Sequence, residues 1–344
     1  MTVLAAFLST VVGLGNAMAI DEIRVVYYPG WPCSYQVGQA KGWFEKELGM
    51  KVKFKELNSY FRFSSAFEGI HHSKRAFAYK MATAIASGDC HIAYSLGVTP
   101  FTSGVSQGAP YLLVGIAVSY PENDKCVARN GTGIRSPRDL VGKKVGVPFE
   151  SVSHYKLLKA LKVSGVDPGQ VKIYDMTPQD IASALKWKEL DCGCACEPFL
   201  SFMLEDGHLI VSAEDQEQWG MKVFDVVVAH KEFAREHPEL ITKFLKVVDD
   251  STRHYHKHFE ESHRLIAEVA GMAPEEARKI LRKMKFLTKE EQLSPKWMGT
   301  KSKPGEVVDF VSSMAQFLVS QKAIDKILDD YRSTIDSSFC EAVR

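Results

Sequence analysis

The chain has 344 residues, 45% apolar and 25% charged, which is ordinary globular composition and excludes disordered and low-complexity classes. Forty-three Lys and Arg against 42 Asp and Glu leave a formal net charge of +1. No basic excess marks a nucleic-acid binder, and no polybasic run marks an anionic-lipid binder.

No charged side chain precedes Asp21, Val3 to Leu14 is mostly apolar, and Ala17-Met18-Ala19 follows. This pattern predicts a secretory signal peptide over 1–19, with cleavage after Ala19 and a periplasmic or secreted mature chain. From Glu22 to about Val228 strand-like and helix-like segments alternate. Strands are expected at Ile23–Tyr28, Val52–Leu57, Ile92–Ser95, Leu112–Ala117, Lys144–Val147, Val171–Tyr174 and Val223–Val228. Helices are expected at Val37–Leu48, Met81–Ser87, Thr99–Ser106, Ser153–Ser164 and Pro178–Lys188. Thr177-Pro178-Gln179-Asp180 is a helix start, with Thr as N-cap, Pro in the first turn and an acid three residues on. After Lys231 the pattern is helical to the C-terminus, with Gly271 and Pro304 as breaks. Such alternation predicts an α/β fold with mainly parallel sheets. The length asks for two domains, yet no Gly/Ser linker separates two halves, so the chain is expected to cross between them more than once, with a ligand in the cleft.

Catalytic motifs are mostly absent. Gly142-Lys143-Lys144 resembles a phosphate loop but has Pro137 where that loop needs Gly and no Ser/Thr after the Lys; no G-x-G-x-x-G, G-x-S-x-G or H-E-x-x-H is present. Seven cysteines are an odd number, and their pairing is not legible. In Cys192-Gly193-Cys194-Ala195-Cys196 the three thiols share one face if the run is a strand. They are read as small buried residues, with a disulfide or a soft-metal site as alternatives. His254 and His258, at i and i+4, are read as a solvated helix face rather than a metal site. Gly97-Val98-Thr99-Pro100 and Phe149-Glu150-Ser151-Val152-Ser153-His154-Tyr155 each join a strand to a helix. Both place hydroxyls and backbone N–H groups where a sulfonate, phosphate or carboxylate binds well. Asp225, at the start of a strand-like run, could face a ligand ammonium.

On these residues the chain resembles the periplasmic substrate-binding proteins of ABC importers, in the taurine, aliphatic-sulfonate and nitrate branch, and looks closest to the taurine binders. The resemblance runs from about Ile23 to about Leu318. It is carried by Ile92–Pro100, Leu140–Pro148, Ser153–Leu158, Gly165–Val171, Gln218-Trp219-Gly220, Asp225 and Phe233–Phe244. It implies a two-lobed periplasmic-binding-protein type II fold, each lobe a mainly parallel sheet flanked by helices, with the ligand in the interlobe cleft. Residues 20–119 and 226–344 would form one lobe and 120–225 the other. The implied ligand contacts are Trp31, Ser59, Thr99, Ser151, Ser153, Tyr155, Glu197, Trp219 and Asp225, with Asp225 on the amine and Trp219 walling the pocket. The implied role is capture of taurine or a related small sulfonate by a monomer. It delivers the solute to an ABC permease and its ATPase, with no cofactor, no metal and no catalytic residue.

The chain departs from the family at residues 60–79, an insertion rich in aromatic residues, and at Glu197, a carboxylate that would repel a sulfonate if it points into the cleft. Nitrate-like anions and a thiamine-pyrimidine precursor are alternative ligands. The thiamine-pyrimidine synthases look similar in fold, but their cysteine run has no counterpart at Trp219–Asp225.

Overall fold

The computed structural model describes residues 20–27, 31–56, 76–149, 151–197 and 199–344. The expected signal peptide, Ser59 and residues 60–75 of the insertion lie outside the described residues.

Two five-stranded sheets organise the chain. The first has the order β2-β1-β3-β10-β4, from β1 (Glu22–Tyr27), β2 (Lys51–Glu56), β3 (Ile92–Gly97), β4 (Tyr111–Ser119) and β10 (Phe224–His230). The second has the order β7-β6-β8-β5-β9, from β5 (Asp124–Arg129), β6 (Lys144–Val147), β7 (Lys172–Asp175), β8 (Cys192–Cys196) and β9 (Gly207–Leu209). In each sheet the fourth strand alone runs against its neighbours, β10 in one and β5 in the other. These are the strands that enter a sheet directly after each passage between the sheets. The chain crosses at Tyr120–Asn123 and returns at Trp219–Val223. The two passages are tied together where Tyr120 N–H and the Ser119 hydroxyl donate to the Val223 carbonyl, at 3.0 and 3.2 Å.

The helices follow in chain order: α1 (Tyr35–Ala40), α2 (Trp43–Leu48), α3 (Ala76–Ala86), α4 (Val98–Ser106), α5 (Val152–Val163), α6 (Pro178–Lys186), α7 (Phe199–Leu204) and α8 (Ala213–Gln218). They continue with α9 (Lys231–Glu236), α10 (Pro238–Lys257), α11 (Phe259–Ala270), α12 (Pro274–Leu281), α13 (Lys289–Gln292), α14 (Val307–Ser320) and α15 (Ser338–Glu341). β3, β4 and β10 are buried on both faces, which is why they read as apolar runs, whereas the edge strand β2 exposes Lys51, Lys53 and Glu56 and alternates. Val26, Ala93, Leu96 and Val226 join one core with α3, α4 and α14, while Val25, Ile92, Tyr94 and Val227 join another with α1, α2, α10 and α11. The second sheet packs α5 on one face and α6 and α7 on the other.

The cysteine run is strand β8, as its spacing suggests. Cys192 and Cys194 point into the core under α5, and Ala195 points the other way. Gly193 has its own reason: a Cβ there would lie 2.3 Å from Ile181 and 2.8 Å from Leu185, so α6 rests on bare backbone. Cys194 is bonded to Cys126, directly opposite it on β5. Cys192 and Cys196 keep free thiols.

Two local expectations change. The helix expected over Val37–Leu48 is two helices, because Gly42 takes φ +65° between them. The helix expected at Met81 begins earlier, at Ala76. The start of α6 is as expected: Thr177 Oγ1 accepts from the Asp180 N–H at 3.0 Å, and Pro178 occupies the first turn. Thr177→Ala should therefore cost about 1 kcal/mol of stability, read as a lower urea midpoint with unchanged slope. Among the described residues no helix is long and apolar enough to cross a membrane.

Candidate functional site

The ends of β3, β4 and β10 bring three polar side chains to one point. Asp225, the second residue of β10, is buried. Its Oδ1 accepts the Tyr120 hydroxyl at 2.7 Å and its Oδ2 accepts the Ser95 hydroxyl at 2.8 Å. The Ser95 contact comes from a bulge. Val226 pairs with Leu96 and Val227 with Tyr94, so Ser95 is unopposed, and it takes φ +64°. A non-glycine residue in that region is strained, and bulges of this kind re-aim a side chain. Tyr120 is set by the first crossing and is packed edge-on by Trp31, with ring centroids 5.3 Å apart. Among the described residues the buried Trp31 indole N–H has no hydrogen-bond partner. The Cys33 thiol lies 3.8 Å from the Ser95 hydroxyl.

Among the described residues no cation pairs with Asp225. Burial pushes its carboxyl up from 3.8 to about 6, against the two hydroxyl bonds that pull it down. The same carboxylate holds the Tyr120 phenol well above its usual value, after burial itself.

Two further carboxylates stand close by, on the second lobe. Asp124 opens β5 and accepts the Ser153 hydroxyl at 2.8 Å, with Lys156 Nζ 3.2 Å from its other oxygen. Glu197 follows β8 and accepts the Ser201 N–H and hydroxyl, both at 3.0 Å, and Lys283 Nζ at 2.6 Å. Glu197 is thus buried with its charge already paired, so the expected repulsion of an anion by this residue is weakened. The Cys196 thiol is pushed up to about 12, chiefly by burial and then by the charges of Asp124, Glu197 and Asp225.

The remaining expected contacts are distributed around this point. Thr99 is buried in the first turn of α4, whose N-terminus at Gly97 has no side-chain cap; its hydroxyl points to the Met314 sulfur at 3.8 Å. Ser151 caps α5, accepting the His154 N–H at 3.2 Å and donating to the Pro148 carbonyl at 2.5 Å. Tyr155 reaches across to α14, edge-on to Phe310 and Phe317 at 5.8 and 5.3 Å. Trp219 ends α8 and packs against cores of both lobes. Ser59 is outside the described residues. Reasoning from sequence overlooked Ser95, Tyr120, Asp124 and Lys283.

The chain is similar to known proteins. Residues 73–262 match the family model described as NMT1/THI5 like. The taurine-binding periplasmic protein of Escherichia coli is 28% identical over 312 residues, 89% of each chain. A putative aliphatic sulfonates-binding protein of Bacillus subtilis is 24% identical, over 88% of this chain and 82% of that one. The crystal structure of the periplasmic aliphatic sulphonate binding protein SsuA from Escherichia coli superimposes with a TM-score of 0.72 at 18% identity, covering 94% of this chain and all of that one. That likeness shows the two-lobed fold of a periplasmic binding protein. With a family model that spans more than half of its length, the chain belongs to the NMT1/THI5-like family.

Proposed function

We propose that the chain is the solute-binding component of an ABC importer, which captures taurine or a related small sulfonate and delivers it to a permease and its ATPase. The observation that carries this reading is Asp225, a buried carboxylate with two hydroxyl donors and, among the described residues, no cation. Such a group lacks its counter-ion, and a ligand ammonium supplies one. The uncapped start of α4 at Thr99 and the Ser151–Ser153 start of α5 suit the acid group at the other end of the ligand. Trp31, Tyr155 and Trp219 then wall the ligand, and Ser59 joins the set through the family resemblance. The names of the similar proteins, a taurine binder and an aliphatic-sulfonate binder, support the same ligand class.

In this reading the chain is a monomeric binder rather than an enzyme. Residues 1–19 are removed on export to the periplasm or beyond. Residues 20–119 and 226–344 form one lobe and 120–225 the other. A thermal-shift panel of taurine, ethanesulfonate, nitrate and a thiamine pyrimidine tests the proposal. A ligand at 100 times its dissociation constant adds about 2.7 kcal/mol, a readily visible shift. Taurine should shift the melting temperature most. A shift with the pyrimidine or nitrate and none with either sulfonate would overturn the assignment.

A further inference from the structure

Asp124 pairs with Cys196 across β5 and β8, Glu197 follows Cys196 and donates its N–H to the Asn123 carbonyl at 2.9 Å, and Asp225 accepts the Tyr120 hydroxyl at 2.7 Å, so three carboxylates stand along the first crossing, where the lobes meet. Three uncompensated negative charges there would oppose any ligand with an acid group. The structure compensates two of them. Lys156 pairs with Asp124 at 3.2 Å, from within the same lobe. Lys283 pairs with Glu197 at 2.6 Å, and this pair bridges the lobes. Lys283 lies in the turn after α12, in the first lobe. Two residues on, Lys285 exchanges backbone hydrogen bonds with Ser119 at 2.7 and 2.8 Å, which anchors the turn beside the first crossing. Glu197 cannot easily turn away, because Ser201 holds both of its oxygens.

We propose that Lys283 is a specificity-determining residue. By neutralising Glu197 across the lobe boundary, it leaves Asp225 as the uncompensated acid of the cluster, so the closed cleft accepts a ligand that carries one ammonium and one acid group. The inference rests on the ligand class proposed above. It also joins closure to selectivity. Glu197 and Lys283 belong to different lobes, so the compensating contact is made as the lobes come together, when an acid group would be enclosed.

The test is calorimetric titration of taurine into the wild type, Lys283→Met, Glu197→Gln and the double variant. The Lys283 side chain is 40% exposed, so Lys283→Met should fold, which its melting temperature checks. Lys283→Met should weaken taurine by about tenfold or more, because Glu197 then stands unpaired in the cleft. The double variant should return to within about threefold of the wild type, since removing the acid removes the need for its partner. Loss of packing alone would not be rescued by Glu197→Gln. A Lys283→Met protein that binds taurine as the wild type does, or a double variant as weak as the single, overturns the inference while the taurine assignment stands. A wild type that binds no acid ligand overturns the assignment and this inference with it.

Discussion

Asp225→Asn should lower the affinity for taurine by more than tenfold and at the same time stabilise the ligand-free protein near pH 8. Both effects come from one property of the site. The Asp225 carboxylate is buried against the Ser95 and Tyr120 hydroxyls and, among the described residues, has no cation. An ammonium held there forms an ion pair in a closed cleft, and loss of one partner of such a pair costs about 2–5 kcal/mol. The stability effect follows from the raised pKa of the folded state. Between about 4 and 6 the folded chain holds a proton on Asp225 that the unfolded chain has released, because the folded value is about 6 and the ordinary one 3.8. Stability contributed by this group therefore falls as pH rises through that window, and the full cost is present above pH 6. A shift of this size corresponds to roughly 2–3 kcal/mol. The amide cannot ionise, so Asp225→Asn should be more stable than the wild type at pH 8 and about equal to it at pH 4. Chemical denaturation at the two pH values, with titration of taurine at pH 8, measures both effects. A variant that loses no affinity would remove Asp225 from the ligand.

The second large effect is expected from the disulfide. Cys126 and Cys194 are 68 residues apart, and the bond joins β5, which enters directly from the first crossing, to β8 in the middle of the same sheet. Closing a loop of that length removes unfolded-state entropy worth about 4 kcal/mol in the chain-entropy account. Cys126→Ala with Cys194→Ala should lower the unfolding free energy by an amount of that order, measured against the oxidised wild type. The wild type in reductant should approach the same value. Folded protein in an oxidising compartment would retain the bond, in keeping with export. A double variant as stable as the wild type would show that the bond adds nothing to the fold.

The fold was legible wherever burial on both faces produced apolar runs. β1 and β6 fall almost where the β-branched residues place them, and Thr177-Pro178 marks the start of α6. β5 was not legible, because its first two residues are Asp124 and Lys125. Both are buried; Asp124 is paired through tertiary contacts with Ser153 and Lys156, and Lys125 with Glu122 three residues before it, so two charged residues stand where an apolar strand start would be expected. The break at Gly42 was masked by helical spacing on either side of it. In the site, Asp225 was visible as an acid at the head of a strand. Its partners were not, since Ser95 is 130 residues away and Tyr120 is 105 residues away, and a β-bulge brings the first of them into place. Glu197 was visible as a charge in the wrong place for a sulfonate. Its partner is Lys283, 86 residues further on, which a linear reading has no means of pairing with it.

The central claim is that a ligand ammonium is taken by the Asp225 carboxylate. Its most direct test is calorimetric titration of taurine into the wild type at pH 6 and pH 8, each in two buffers of different ionisation enthalpy. At pH 6 much of Asp225 carries a proton, and pairing with the ammonium must expel it. The account predicts tight saturable binding, a net release of protons at pH 6 and almost none at pH 8. Taurine binding with no proton release at either pH, or no binding at all, would contradict it.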